Sequence, residues 1–65
     1  MKLHEQLRLR RERLRLNQSE LSEKSGIGQN TISYFEKGRK TPSLATVQKI
    51  VEAMGGKLTV VWETA

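Results

Sequence analysis

Apolar positions recur every three or four residues along most of this chain, and that rhythm gives way only near its end. Leu3, Leu7 and Leu14 fall on one helical stripe, and neither Gly nor Pro interrupts residues 2 to 15. Arg10 lies centrally on the stripe, so its aliphatic stem is expected to pack while its charge reaches water. Arg11 sits one turn beyond Leu7 at the stripe's edge, partly buried, and therefore calls for a carboxylate partner. Leu9 points away from the stripe, and His4 is expected in solvent at the helix start. Asn17 opens a second, shorter pattern as a cap, and Glu20 three residues on completes a capping box. Leu21 is its main apolar residue, with the small Ser22 and Ser25 nearby. A third pattern begins at Gln29, buries Ile32 and Phe35, and stops at Gly38. Pro42 then breaks any helix, and Ser43 caps a fourth pattern of Leu44, Val47, Ile50, Val51 and Met54, closed by Gly55-Gly56. The expected helices span about 2–15, 18–25, 29–37 and 44–54.

From Lys57 to Trp62 the period changes to two. Leu58, Val60 and Trp62 share one side, Thr59 and Val61 the other, in β-branched and aromatic residues suited to a strand. A lone strand leaves its backbone groups unpaired and its apolar face in water. The nearest partner is the same strand of a second copy, which two-fold symmetry makes antiparallel. Residues 1–56 are thus expected as one helical domain and 57–63 as a dimerisation strand carrying Leu58, Val60 and Trp62. A tail packed on its own helices is the competing reading.

The short gap Gly26-Ile27-Gly28 between the second and third patterns makes them a helix-turn-helix unit. Gln29, Asn30, Ser33 and Tyr34 on the third pattern are polar, uncharged and not needed by its apolar stripe. Gln and Asn can pair two hydrogen bonds with adenine in the major groove, so this surface is suited to reading bases. Charge adds to that picture. The net charge is +5, and residues 1–40 hold ten Lys/Arg against five Glu, whereas residues 41–65 hold two against two. The whole excess lies beside the helix-turn-helix, which favours a polyanionic partner.

Other chemistries are poorly supplied. With 65 residues the chain supports one domain; it has no cysteine, no aspartate and a single histidine. No nucleophile–base pair or metal site can be assembled, so neither catalysis nor a cofactor is expected. No apolar run is long enough for a bilayer, and a soluble cytoplasmic protein at the nucleoid is the expectation.

From Leu7 to Met54 the chain resembles the Cro/repressor-type helix-turn-helix family, also called the XRE family. The resemblance rests on Leu7 and Arg11, Leu16-Asn17-Gln18, Glu20-Leu21, Gly26, Thr31-Ile32-Ser33 with Glu36, Gly38, and Pro42-Ser43-Leu44. It implies an all-α, lambda-repressor-like, compact four-helix domain whose third helix enters the major groove of double-stranded DNA. Gln29 and Asn30 match base-touching positions, with Ser33 and Tyr34 one turn further along. Gln18 matches a phosphate-binding position, and Lys37, Arg39 and Lys40 follow the recognition helix where relatives grip phosphate. Arg15 replaces a Gly that often ends the first helix, and either adds a phosphate contact or extends that helix. Arg11 and Glu36 match an internal salt bridge. Ser22 replaces a usual Ala, with its hydroxyl expected to bond back to the preceding turn. Gly28 replaces a usual Ser or Thr cap. The tail resembles the C-terminal strand of HipB-like regulators, some of which are antitoxins partnered by a kinase-like toxin. The reading that follows is a homodimeric DNA-binding regulator, most simply a repressor. Its alternatives are an antitoxin that also binds a toxin, and an interaction module that does not read DNA.

Overall fold

A computed structural model describes residues 1–64. It contains α1 (Leu3–Arg13), α2 (Gln18–Ser25), α3 (Gln29–Glu36) and α4 (Leu44–Ala53). Leu21, Ile32, Phe35, Val47, Ile50, Val51 and Met54 form the buried core, with Leu7, Ile27, Ala53 and Leu58 packed partly against it. Full burial of such a side chain is worth roughly 1.5–3 kcal/mol, so the three helices that supply this core, α2, α3 and α4, carry the apolar stability.

The caps that start the helices are local. Glu20 N–H donates to Asn17 Oδ1 at 2.7 Å, and Asn17 N–H donates to Glu20 Oε1 at 2.8 Å. At α4, Thr46 N–H donates to Ser43 Oγ at 3.2 Å. Gly28 begins α3 without a side-chain hydrogen bond.

Three of the helices end in the same pair of bonds. Beyond α1, Arg15 N–H donates to Glu12 O and Leu16 N–H to Arg11 O; beyond α3, Gly38 and Arg39 donate to Phe35 O and Tyr34 O. Beyond α4, Gly55 and Gly56 donate to Glu52 O and Val51 O. This 5→2 and 6→1 pairing is the Schellman motif, which needs a left-handed residue after the cap. Gly38 has φ of 72°, but α1 uses Arg15, with φ of 57°. A side chain there costs about 1–2 kcal/mol. Arg15 therefore does not extend α1, which stops at Arg13, two residues short of the expected end.

α1 contributes no buried residue. Leu3 and Leu14 are exposed, and of the expected stripe only Leu7 packs on the core. Leu9, expected to point away, is half-buried. Polar and aromatic links hold the helix instead. Arg10 donates from Nε and Nη2 to Met54 O at 3.3 and 3.2 Å, so its head caps the end of α4 as well as meeting water. His4 is half-buried, contrary to expectation. Its ring meets Phe35 edge-on, with centroids 6.4 Å apart and planes at 69°. A Cβ on Gly38 would lie 2.9 Å from His4 Nε2, so a side chain there would have to displace the imidazole as well as adopt a strained φ.

Among the described residues there is no strand. Residues 57–64 have no regular structure; Leu58 is half-buried, while Val60, Val61 and Trp62 are 70, 85 and 85 % exposed. The strand expected over 57–63 is not formed in the single chain, where its backbone has no neighbour to pair with.

Candidate nucleic-acid interface

The turn between α2 and α3 is tied by side chains as well as backbone. Gly26, with φ of 74°, donates its N–H to Ser22 O at 2.9 Å. Ser22 Oγ donates to Ile27 O at 2.6 Å, and Ile27 N–H donates to Ser25 Oγ at 3.2 Å. Ser22 thus reaches forward across the turn rather than back along α2. The hydroxyl satisfies a carbonyl that the tight turn takes out of the helix ladder, and so helps hold the angle between α2 and α3.

α3 divides cleanly between an inner and an outer face. Ile32, Phe35 and Glu36 are buried, while Gln29 and Asn30 are exposed and Tyr34 is 49 % exposed. Ser33 and Thr31 are half-buried at the margins. The free amides of Gln29 and Asn30 stand in the first turn, and Tyr34 lies one turn further on. Lys37, Arg39 and Lys40 are exposed immediately after α3, in the segment that its terminal motif folds back. This arrangement offers neutral hydrogen-bonding groups along a helix, flanked at its end by cations. It suits a groove lined by bases between two phosphate backbones.

Behind α3 lies a buried charge cluster. Arg11 Nε donates to Glu36 Oε2 at 2.8 Å and Nη2 to Oε1 at 2.9 Å, a bidentate pair. The remaining nitrogen, Arg11 Nη1, donates to Leu16 O at 2.8 Å. Gln18 Nε2 also donates to Glu36 Oε1, at 3.0 Å. Side-chain exposure is only 12 % for Arg11 and 5 % for Glu36. The hydrogen bonds to Glu36 hold the Arg11 guanidinium above its usual range; burial opposes this and is outweighed. One carboxylate therefore joins the end of α1, the start of α2 and the end of α3.

The expected site residues thus fall into two sets. Gln29, Asn30, Tyr34, Lys37, Arg39 and Lys40 are presented outward; Ser33 stands at the edge. Arg11, Glu36 and the amide of Gln18 are directed inward, so in the free protein Gln18 serves the charge cluster. Arg15 is exposed in its left-handed position, with its backbone committed to the end of α1. His4, Arg10 and the forward bond of Ser22 are positioning groups that helical spacing does not announce. Each depends on where separate segments meet, for which a single sequence carries no signal beyond a polar residue close to an apolar stripe. Among the described residues, no group of three or more His, Asp or Glu is placed to hold a metal, and no helix is long and apolar enough to cross a membrane.

Comparison with known proteins adds an independent line. The helix-turn-helix family model matches residues 7–61. An uncharacterized HTH-type transcriptional regulator of Methanothermobacter thermautotrophicus is 43 % identical over 49 residues, covering 75 % of this chain and 71 % of that protein. The cryptic phage CTXphi transcriptional repressor RstR of Vibrio cholerae is 42 % identical over 40 residues, covering 62 % of this chain and 36 % of the repressor. An uncharacterized HTH-type transcriptional regulator of Sinorhizobium fredii, y4dJ, is 40 % identical over 48 residues, or 74 % of this chain and 61 % of that protein. The chain therefore spans only about a third of the phage repressor's length.

Proposed function

This chain belongs to the XRE-type helix-turn-helix family of DNA-binding regulators, and from that premise we propose that it is a homodimeric repressor reading a pseudo-palindromic operator. The observation that carries the reading is the outer face of α3, where Gln29 and Asn30 stand exposed in the first turn above a core-anchored inner face. Each protomer lays α3 in one major groove. The two helices are then about 34–36 Å apart, one turn of duplex. Gln29 and Asn30 read base edges, with Ser33 and Tyr34 supplying contacts one turn along. Lys37, Arg39 and Lys40 grip phosphate and set the salt dependence. The Arg11–Glu36 cluster does not touch DNA; it fixes the angle at which α3 is presented. Gln18 reaches phosphate with its backbone N–H at the N-terminus of α2, while its side-chain amide stays on Glu36, and Arg15 adds a further positive contact. The tail pairs with its counterpart to make the dimer. The similarity to a phage repressor supports repression as the outcome.

Selection of sites from a random duplex library tests this. The native protein is expected to enrich a two-fold site. The variant with Gln29→Ala and Asn30→Ala loses that enrichment, because each good bidentate base contact is worth about 1–3 kcal/mol, yet keeps salt-dependent binding to arbitrary duplex. Equal loss of specific and non-specific binding would refute this division of labour.

A further inference from the structure

The tail leaves α4 through Gly55-Gly56, and among its described apolar residues Leu58 is the one packed on the core. Trp62 shares the face of Leu58 in an extended chain but stands four residues, about 13 Å, beyond it, and in the single chain it is 85 % exposed. Beside the point where the tail departs, a groove of about 220 Å³ is lined by Leu7, Arg10, Val51, Met54, Gly56 and Lys57 among others. Its floor is apolar, and the Arg10 guanidinium is held there by Met54 O.

Charge selects the register in which two tails meet. The tail carries one cation, Lys57, and one carboxylate, Glu63. In an antiparallel pair centred on Val60, each Lys57 stands directly opposite the partner's Glu63. The same register sets Thr59 against the partner's Val61, and Trp62 against the partner's Leu58. Opposite charges directly across a ladder stabilise it and like charges destabilise it, so this register uses both ionic residues twice. A shift by one residue moves the apolar set to the other face and loses both pairs.

Resting on the dimer proposed above, we infer that the two tails pair in register about Val60 and that Trp62 of each protomer docks in the partner's groove beside Leu58. The second copy is the occupant because the register delivers Trp62 opposite Leu58, the tail residue that packs on the partner's own core. The groove suits an indole: it has an apolar floor and a guanidinium at the rim, and Trp is the aromatic that best accepts a cation over its face. Each protomer thus closes a surface that its own chain leaves open.

The test uses Lys57→Glu, Glu63→Lys and their equimolar mixture, with the full chain throughout. Both substitutions lie outside the helices; Lys57 also borders the groove, whereas Glu63 does not, so Glu63→Lys reads the charge pairing apart from any change to the groove. Sedimentation gives the dimer dissociation constant, and the emission and quenching of Trp62, the only tryptophan in the chain, give its burial. Each single variant places like charges across both positions and is expected to weaken dimerisation roughly ten-fold. The mixture restores native affinity, because one chain then carries carboxylates at both positions and faces two ammonium groups on the other. Native dimer shows blue-shifted emission shielded from quencher, lost on dilution to monomer. A monomeric native protein at tens of micromolar would overturn the dimer and this inference with it. A native dimer with no recovery in the mixture, or with Trp62 open to quencher, would overturn the register and docking alone.

Discussion

α1 and the C-terminal tail flank the same core from opposite ends of the chain, and neither brings much apolar surface to it. α1 packs Leu7 and the tail packs Leu58. Their outcomes differ. α1 is held in place because Arg10, Arg11 and His4 find groups that α3 and α4 leave over: the Met54 carbonyl, the Glu36 carboxylate and the Phe35 edge beside Gly38. As a helix it has already paired most of its backbone internally, so its side chains are free to seek such groups. The tail has no internal ladder. Its own N–H and C=O groups need a neighbour before Val60 or Trp62 can be buried. A helix can therefore dock on a small core through a few directed polar links, whereas an extended segment requires another extended segment.

Substitutions along these links test the contrast, beginning with the one expected to matter most. Arg11→Ala leaves Glu36 buried without its cation and is expected to cost about 3–5 kcal/mol in chemical denaturation. A cost below about 1 kcal/mol, the range of an exposed pair, would mean that α1 is not anchored by charge. Gly38→Ala imposes a side chain at φ of 72° and pushes against His4; a loss of about 1–2 kcal/mol is expected. His4→Ala made in addition should recover the part due to contact and leave the part due to φ.

Arg10→Met keeps a flexible apolar stem but removes the donors to Met54 O, and should lower stability by about 1 kcal/mol. Hydrogen exchange would report the change at the end of α4 before it appeared elsewhere. The smallest effect belongs to the tail. Trp62→Ala, measured where the protein is monomeric, should change stability by less than about 0.5 kcal/mol, as for other exposed residues. A larger loss would show that the tail is held by its own body, and would erase the contrast with α1.

The legible parts of the fold were those in which a residue and its partner lie within one turn of each other. The Asn17–Glu20 box, the Ser43 cap and the glycines after α3 and α4 are i to i+3 matters. The buried positions Leu21, Ile32, Phe35, Val47, Ile50, Val51 and Met54 followed from helical spacing alone. The outer face of α3 was legible for a related reason, since residues the apolar stripe does not use must point elsewhere. Where periodicity misled, a boundary or an edge was at stake. Leu14 falls after the last residue of α1, and Leu44, at the first position of α4, is 72 % exposed. Hydrophobic spacing does not say where a neighbouring helix stops covering it.

By itself, then, the sequence determined the four helices, their caps, the core-facing residues and the neutral hydrogen-bonding groups along α3, because each is settled by backbone geometry over a few residues. The tertiary structure decided what crosses between segments: Arg10 on the carbonyl that follows α4, His4 against Gly38, Arg11 paired with Glu36, and Gln18 turned to the same carboxylate. These contacts join groups distant in the chain or oblige one residue to satisfy several neighbours at once. Their energies exist only after the helices have met.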